Sequence, residues 1–240
     1  EYLDLHCGGI DNAFPHHTNE IAQSESYLGH KWCNYWFHVH HLNTEDGKMS
    51  KSKGEFLTVS LLEEKGYDPM VYRYFCLQSH YRRNLVFSWE NLDNAAAAYE
   101  KLIARIAALK AEGDVDSAAF DALKARFTGA LDGDLNTSLA ITCLFDVLKA
   151  KCSDATKLAA LADFDRVLSL NLLENAEKLR KKQAEEEAVA ADPEIDALVA
   201  ARTEAKKAKN FAEADRIRDE LKARGIEIID TPQGAKWRKV

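Results

Sequence analysis

The spacing of apolar and polar positions changes character along the chain. Tyr2-Leu3-Asp4-Leu5-His6 alternates before Gly8-Gly9 interrupts it, which predicts a strand ending in a tight turn. Pro15 suits the first turn of a helix running to about Tyr27. Phe37 to Leu42 (FHVHHL) reads as a second strand, and a polar loop follows from Asn43 to about Glu55. Two short helices come next, the second opened by Asp68-Pro69. From Asp134 to Arg224 there is no glycine and Pro193 is the only proline, so long helices are predicted there. Ser88 can cap a helix to about Leu109, and Phe120, Leu123 and Phe127 repeat at helical spacing in the next segment. Asn136-Thr137 can cap another, whose Leu139, Cys143, Leu144, Val147 and Leu148 form one stripe for a bundle core. Lys178 to Ala188 (KLRKKQAEEEA) reads as a solvated helical face or linker. Beyond Pro193 a helix through Lys222 closes at Gly225, followed by a short strand at Ile226-Glu227-Ile228 and a turn over Asp230 to Gly234.

Composition adds limits. The 240 residues are 46% apolar and 30% charged, which fits folded material of one to three domains. No stretch approaches the roughly 18 apolar residues of a transmembrane helix. A net charge of −7 argues against a polyanionic partner until it is divided along the chain. Residues 1–90 carry 8 basic and 12 acidic side chains, residues 91–201 carry 13 and 20, and residues 202–240 carry 11 and 7. The C-terminal end is therefore where nucleic acid is expected to dock. Cys7, Cys33, Cys76, Cys143 and Cys152 are odd in number and scattered, which favours a reducing compartment, the cytoplasm, over a disulfide framework. All eight histidines lie at or before His80, with six of the eleven glycines, so chemistry is concentrated in that part. The chain opens on Glu1 and reads as a strand almost at once, and the expectation is that it starts inside a larger protein.

Lys48-Met49-Ser50-Lys51-Ser52, with Gly47 before and Gly54 after, concentrates positive charge between two hinges. Such a loop can close over a triphosphate, its ammonium groups placed where charge develops on the β- and γ-phosphates. The motif resembles the second signature of class I aminoacyl-tRNA synthetases. Neighbouring blocks are similar to those of the cysteinyl-tRNA synthetase family: Asp4 to Asp11 (DLHCGGID), Phe14 to Glu25 (FPHHTNEIAQSE), Ser79 to Arg82 (SHYR), Phe87 to Leu92 (FSWENL) and Asp230 to Arg238 (DTPQGAKWR). The likeness runs from end to end and matches the C-terminal half of such an enzyme.

The resemblance implies a fold that is α/β followed by mostly α: residues 1–88 as the C-terminal part of a Rossmann-type catalytic domain, 89–190 as a helical bundle and 193–240 as a small anticodon-recognition domain. It implies ATP-dependent activation of L-cysteine, with ATP entering as its magnesium complex, then transfer to tRNA(Cys). Lys51, helped by Lys48, is the expected catalytic pair. Lys51, His6 and Asp11 are expected to bind ATP. Read from their own surroundings, His6 serves equally well as a satisfied core histidine and Asp11 as a helix cap.

His16 and Glu20 stand at i and i+4, which on a helix inclines both side chains the same way. By resemblance they bind zinc with two cysteines outside this sequence, and the metal takes the substrate thiolate. A thiolate is a strong zinc ligand and a serine hydroxyl a poor one, so such a site rejects serine by itself. His17, His38, His40 and His41 cluster along the sequence, but strand alternation prevents convergence of the last three, and all four read as structural. At the C-terminal end the resemblance implies that Lys206, Phe211, Asp215, Asp230 and Trp237 contact tRNA, aromatics among cations stacking splayed bases and carboxylates accepting from base amino groups; read from its own residues, the segment is a solvated amphipathic helix with Phe211 and Trp237 in a small core. A monomeric enzyme is expected, inactive as the isolated chain. Two alternatives stand beside it: a ligase joining cysteine to an amino sugar, and a non-catalytic tRNA-binding fragment.

Overall fold

In the computed structural model the described residues are 1–44, 47–48, 58–190, 193–231 and 234–239, with 47–48, 187–190, 193, 230–231, 234, 236 and 238–239 described by backbone alone. Packing divides the chain into two compact units, Glu1–Ala176 and Glu177–Val240. The boundary expected near residue 88 falls inside the first of them, where helix packs on helix across it.

The first unit starts with strand β1 (Leu3–Gly9), a 3-10 turn (Ile10–Asn12), a π-type turn (Ala13–His17) and helix α1 (Thr18–Leu28). Strand β2 (Cys33–Val39) then lies parallel to β1, pairing His6 with Trp36 and Gly8 with His38. This is a β-turn-α-β unit of the kind that parallel sheets are built from. The second strand begins earlier than predicted, because Cys33 and Tyr35 already pair with Leu3 and Leu5. Strand β3 (Leu42–Thr44) is flanked by β4 (Gly47–Lys48), antiparallel, and β5 (Leu85–Phe87), parallel. Of the polar loop predicted from Asn43 to about Glu55, residues 45–46 and 49–55 lie outside the described residues.

Local chemistry fixes the helix starts. Thr58 accepts from the Leu61 amide to cap α2 (Val59–Glu64), and Asp68 from that of Met70, ahead of Pro69, to start α3 (Pro69–Leu77). Ser88 caps α4 (Trp89–Ala107), Asp116 caps α5 (Ser117–Asp132) and Asn136 caps α6 (Thr137–Lys149). Ser153 caps α7 (Asp154–Leu168), and α8 (Leu172–Ala190) runs through the segment read as a charged face or linker.

These helices bury Leu92, Leu102, Ile106, Leu144, Leu161 and Leu168, each at most 2% exposed. Phe127 and Phe164 stack with centroids 4.1 Å apart, joining α5 to α7. Of the stripe predicted for α6, Cys143, Leu144 and Val147 are buried, whereas Leu139, in the first turn, is 49% exposed. Polar bonds add to this packing, one from α3 to the end of α7 and one within the bundle. The Arg73 Nε donates to the Leu168 carbonyl at 2.6 Å, and the Tyr99 hydroxyl to that of Leu170 at 2.5 Å. Burial pushes the Tyr99 phenol up to about 12.

In the second unit the single helix expected from Pro193 to Lys222 is two, α9 (Pro193–Lys207) and α10 (Phe211–Ala223). Lys209 takes a left-handed conformation (φ 57°), and the Asn210 side chain accepts from the Glu213 amide to start the new helix. Strands β6 (Ile226–Thr231) and β7 (Gly234–Lys239) form an antiparallel hairpin. Ile195, Val199, Ile217, Leu221 and Ile226 make its core. Among the described residues no helix is long and apolar enough to cross a membrane. All five cysteines are free thiols.

Phe164→Ala should lower the stability of the first unit by about 3–5 kcal/mol, since Phe164 is fully buried and its stacking partner cannot fill the space. Chemical denaturation of variant and parent measures this.

Candidate active site

The end of β1 and the turns after it bring together residues scattered over the first 41 positions. Alternation puts His6 and Gly8 on one face of β1, and the parallel register sets Trp36 and His38 beside them. The missing side chain at Gly8 makes room for an imidazole. A Cβ there would lie 2.8 Å from His17 Cε1 and 2.9 Å from Asn12 Nδ2. Into that space the π-type turn directs His17, which is only 7% exposed.

Its Nδ1 is 2.9 Å from His38 Nε2, and its ring is 4.6 Å from that of His6 and 4.9 Å from that of Trp36. From α1 the Glu20 carboxylate reaches back to His6, with Nε2 and Oε2 3.1 Å apart. Burial first, then the neighbouring imidazoles of His6 and His38, lowers the His17 pKa, with Glu20 opposing. His17 therefore stays neutral near pH 7, with a ring lone pair available.

The donor atoms of His6, His17 and Glu20 all lie within 4.8 Å of one another. Two imidazoles and a carboxylate are donors that zinc accepts, and the His6–Glu20 separation is close to that of two ligands about 2.0–2.2 Å from one ion. The residues present therefore fit such an ion. His16 stands apart from this group: it is exposed, at the end of the π-type turn, while Glu20, its partner by spacing, faces His6. His17 and His38, structural by their spacing alone, come together here at 2.9 Å. The signal that finds them is the period of two along β1 and β2, with a glycine opposite a ring.

A second set lies at the adjoining turn. His41 Nε2 is 3.6 Å from Asp11 Oδ1, and a Cβ on Gly9 would lie 2.5 Å from that oxygen. Asp11 is 58% exposed and faces open space at the end of a parallel strand, where such sheets hold ligands. His38, His40 and His41 go to three different neighbours: His17, Asn84 and Asp11. Lys51 lies outside the described residues, and Lys48 is described by backbone alone, paired in β4 with Asn43.

In the second unit Phe211 is 62% exposed at the start of α10, and Lys206 is exposed near the end of α9. Asp215 is also exposed and pairs with Arg218 at 3.0 Å. Trp237 instead packs against the core while its indole N–H donates to Asp196 at 2.8 Å, so it holds the hairpin to α9. The side chain of Asp230 lies outside the described residues.

Residues 1–97 match the family model of the tRNA synthetases class I (C) catalytic domain, and residues 188–238 match that of the cysteinyl-tRNA ligase anticodon binding domain. The chain belongs to the cysteinyl-tRNA synthetase family. The cysteine--tRNA ligase of Halorhodospira halophila is 44% identical over 248 residues, which take in 99% of this chain and 52% of that protein. That of Brevibacillus brevis is 42% identical over 262 residues, 100% of this chain and 53% of its own length. The chain thus spans about half the length of the curated relatives it matches. Among solved structures, the Agrobacterium radiobacter K84 agnB2 LeuRS-tRNA-LeuAMS ternary complex matches 73% of this chain and 27% of that one, with a TM-score of 0.53 at 18% identity. That likeness is one of fold: a class I synthetase.

Gly8→Ala should push the His17 ring from its place and break its bond to His38. The cost in stability should be about 1–3 kcal/mol, as for other overpacked sites. Denaturation gives the cost, and a histidine NMR spectrum shows whether the His17 signal moves.

Proposed function

We propose that this chain supplies half of a cysteine--tRNA ligase, which activates L-cysteine with ATP and transfers it to tRNA(Cys). The observation that carries this reading is the pairing on one chain of a class I catalytic match over residues 1–97 with an anticodon-binding match over residues 188–238. Because the relatives are about twice as long, the activity is proposed for this chain together with the other half of such a ligase. The three functional parts are 1–88, 89–190 and 193–240, and the whole acts as a cytoplasmic monomer.

In this scheme the cysteine carboxylate attacks the α-phosphorus of ATP, the bond to the β-phosphate breaks, and pyrophosphate leaves. Lys51 and Lys48 meet the charge that gathers on the departing group. Asp11 and His6 line the nucleotide pocket, Asp11 as an acceptor for hydroxyl groups, with His41 beside it. A ribose hydroxyl of the terminal tRNA nucleotide then attacks the acyl carbonyl, and AMP leaves.

Zinc would be held by Glu20 with His16, according to the family pattern, and by donors from the other half. When bound, it supplies selective affinity for a thiolate. Glu20 keeps its orientation by accepting from His6, an outer partner of the kind that fixes metal-binding carboxylates. The observed grouping favours a second donor set, in which His6 and His17 join Glu20 directly.

At the other end, Lys206, Phe211, Asp215 and Asp230 contact the anticodon. Phe211 offers the open ring for a base, and Trp237 contributes by fixing the hairpin that carries Asp230. The match over residues 188–238 disfavours transfer to an amino sugar, which needs no anticodon-reading end. A tRNA-binding fragment without chemistry would have no use for the cluster at Glu20.

The test is cysteine-dependent pyrophosphate exchange and tRNA charging by the full-length protein. Both should occur, and Lys51→Ala should slow exchange by about a hundredfold to a thousandfold, as for comparable electrostatic groups. Charging of an amino sugar in place of tRNA, or an unchanged rate in the variant, would refute the reading.

A further inference from the structure

On the far side of β3 from Asp11, the turn between α5 and α6 is fastened to the segment between α3 and β5. Asp134 and Leu135 both take left-handed backbone, at φ 63° and 52°, although neither is glycine. Two such residues in succession persist only where their surroundings hold them. The Asp134 carboxylate does the holding. Arg82 donates to it twice, Nε to Oδ2 at 2.5 Å and Nη2 to Oδ1 at 3.2 Å. The Tyr81 hydroxyl donates to Oδ1 at 2.5 Å, and His80 Nε2 stands 3.8 Å from Oδ2. The backbone amide of Arg82 donates to His80 Nδ1, which leaves the proton of a neutral ring on the nitrogen that faces Asp134. One turn further on, the Thr137 hydroxyl donates to the Ser79 carbonyl at 3.5 Å. The guanidinium first, and then the phenol, pulls the Asp134 carboxyl down to about 2, so it is ionised at any pH near neutrality.

The same segment holds the strand that reaches the nucleotide pocket. The Tyr81 carbonyl accepts from the His40 amide at 2.9 Å, and Asn84 Oδ1 is 3.4 Å from His40 Nδ1. The Leu85 amide donates to the His41 carbonyl at 3.3 Å, after which β5 pairs residue by residue with β3. Side chains then part to opposite sides. His41 stands 3.6 Å from Asp11, whereas His40 and Leu42 line a cavity of about 280 Å³ with Tyr81, Leu135 and Thr137. Across β3, Asn43 pairs with Lys48, the first residue of the lysine motif.

We propose that Asp134 is a positioning residue for adenylate formation: by fixing residues 79–85 it sets the strand that brings His41 to Asp11 and pairs with Lys48 in β4. The inference rests on the function proposed above, and nothing in the sequence pattern assigns Asp134 a role.

Two measurements test it. In the full-length protein, Asp134→Asn should lower kcat for cysteine-dependent pyrophosphate exchange roughly tenfold to a hundredfold. The KM for cysteine should stay within about threefold and the Tm within a few degrees, a split that simple loss of folding does not produce. Tyr81→Phe, which removes one bond and no charge, should give a smaller drop in the same direction and covers the case in which Asp134→Asn fails to fold. In the 240-residue chain, histidine NMR should show the His41 ring signal displaced in either variant. The signal of His30, which bonds to the Lys31 carbonyl and stacks on Tyr2, should be unmoved. A kcat within twofold of the parent, or an unmoved His41 signal, overturns the proposal. If the parent shows no exchange while the His41 signal still moves, the ligase reading falls and takes adenylate formation with it, leaving only the hold of Asp134 on the strand at His41.

Discussion

The first unit depends on a close approach: a buried imidazole occupying the space that a side chain at Gly8 would fill. His17 can lie there only because β1 has no Cβ at that point. Once there, it touches His6 from the same strand face and His38 from the neighbouring strand. Glu20, one helical turn into the chain beyond, closes the group on His6. Nitrogen and oxygen donors thus converge at the end of a parallel strand without any long loop to carry them. Burial keeps His17 neutral, and a neutral imidazole is the form that can offer a lone pair.

Strand β3 plays the complementary part. It is three residues long, yet it is paired on both sides, with β4 leading into the lysine motif and β5 leading into the bundle. Its approach separates two environments, with His41 beside Asp11 on one side and His40 over an apolar cavity on the other. A strand so short cannot hold its own register against competing pairings. Its neighbours must hold it, which explains why the Asp134 turn is bonded so heavily to residues 79–82.

Much of this architecture was legible in the residues. Asp68, Ser88 and Asn136 announce their helices because a cap acts within three residues of itself. The lysine motif, the Gly8-Gly9 turn and the terminal block pointed to the family that the comparisons then showed. What stayed hidden depends on contacts distant in sequence or on backbone states without a compositional sign. The break at Lys209 is a left-handed lysine, and nothing in its neighbours demands one. His17 gains its place from residues on two strands, one of them 21 positions away. Trp237 looked like an exposed stacking aromatic, but Asp196, far behind it in the chain, takes its N–H. Asp134 has no mark in the local pattern because its partners lie more than 50 positions back.

In the proposed ligase, a donor group built around Glu20 selects the amino acid by its sulfur. The most direct measurement is the rate of pyrophosphate exchange by the full-length protein with cysteine and with serine, before and after removal of bound metal by a chelator. Cysteine should be favoured by several orders of magnitude, and its rate should collapse on chelation and return with zinc. Comparable rates for the two amino acids, or a cysteine rate indifferent to metal removal, would contradict it.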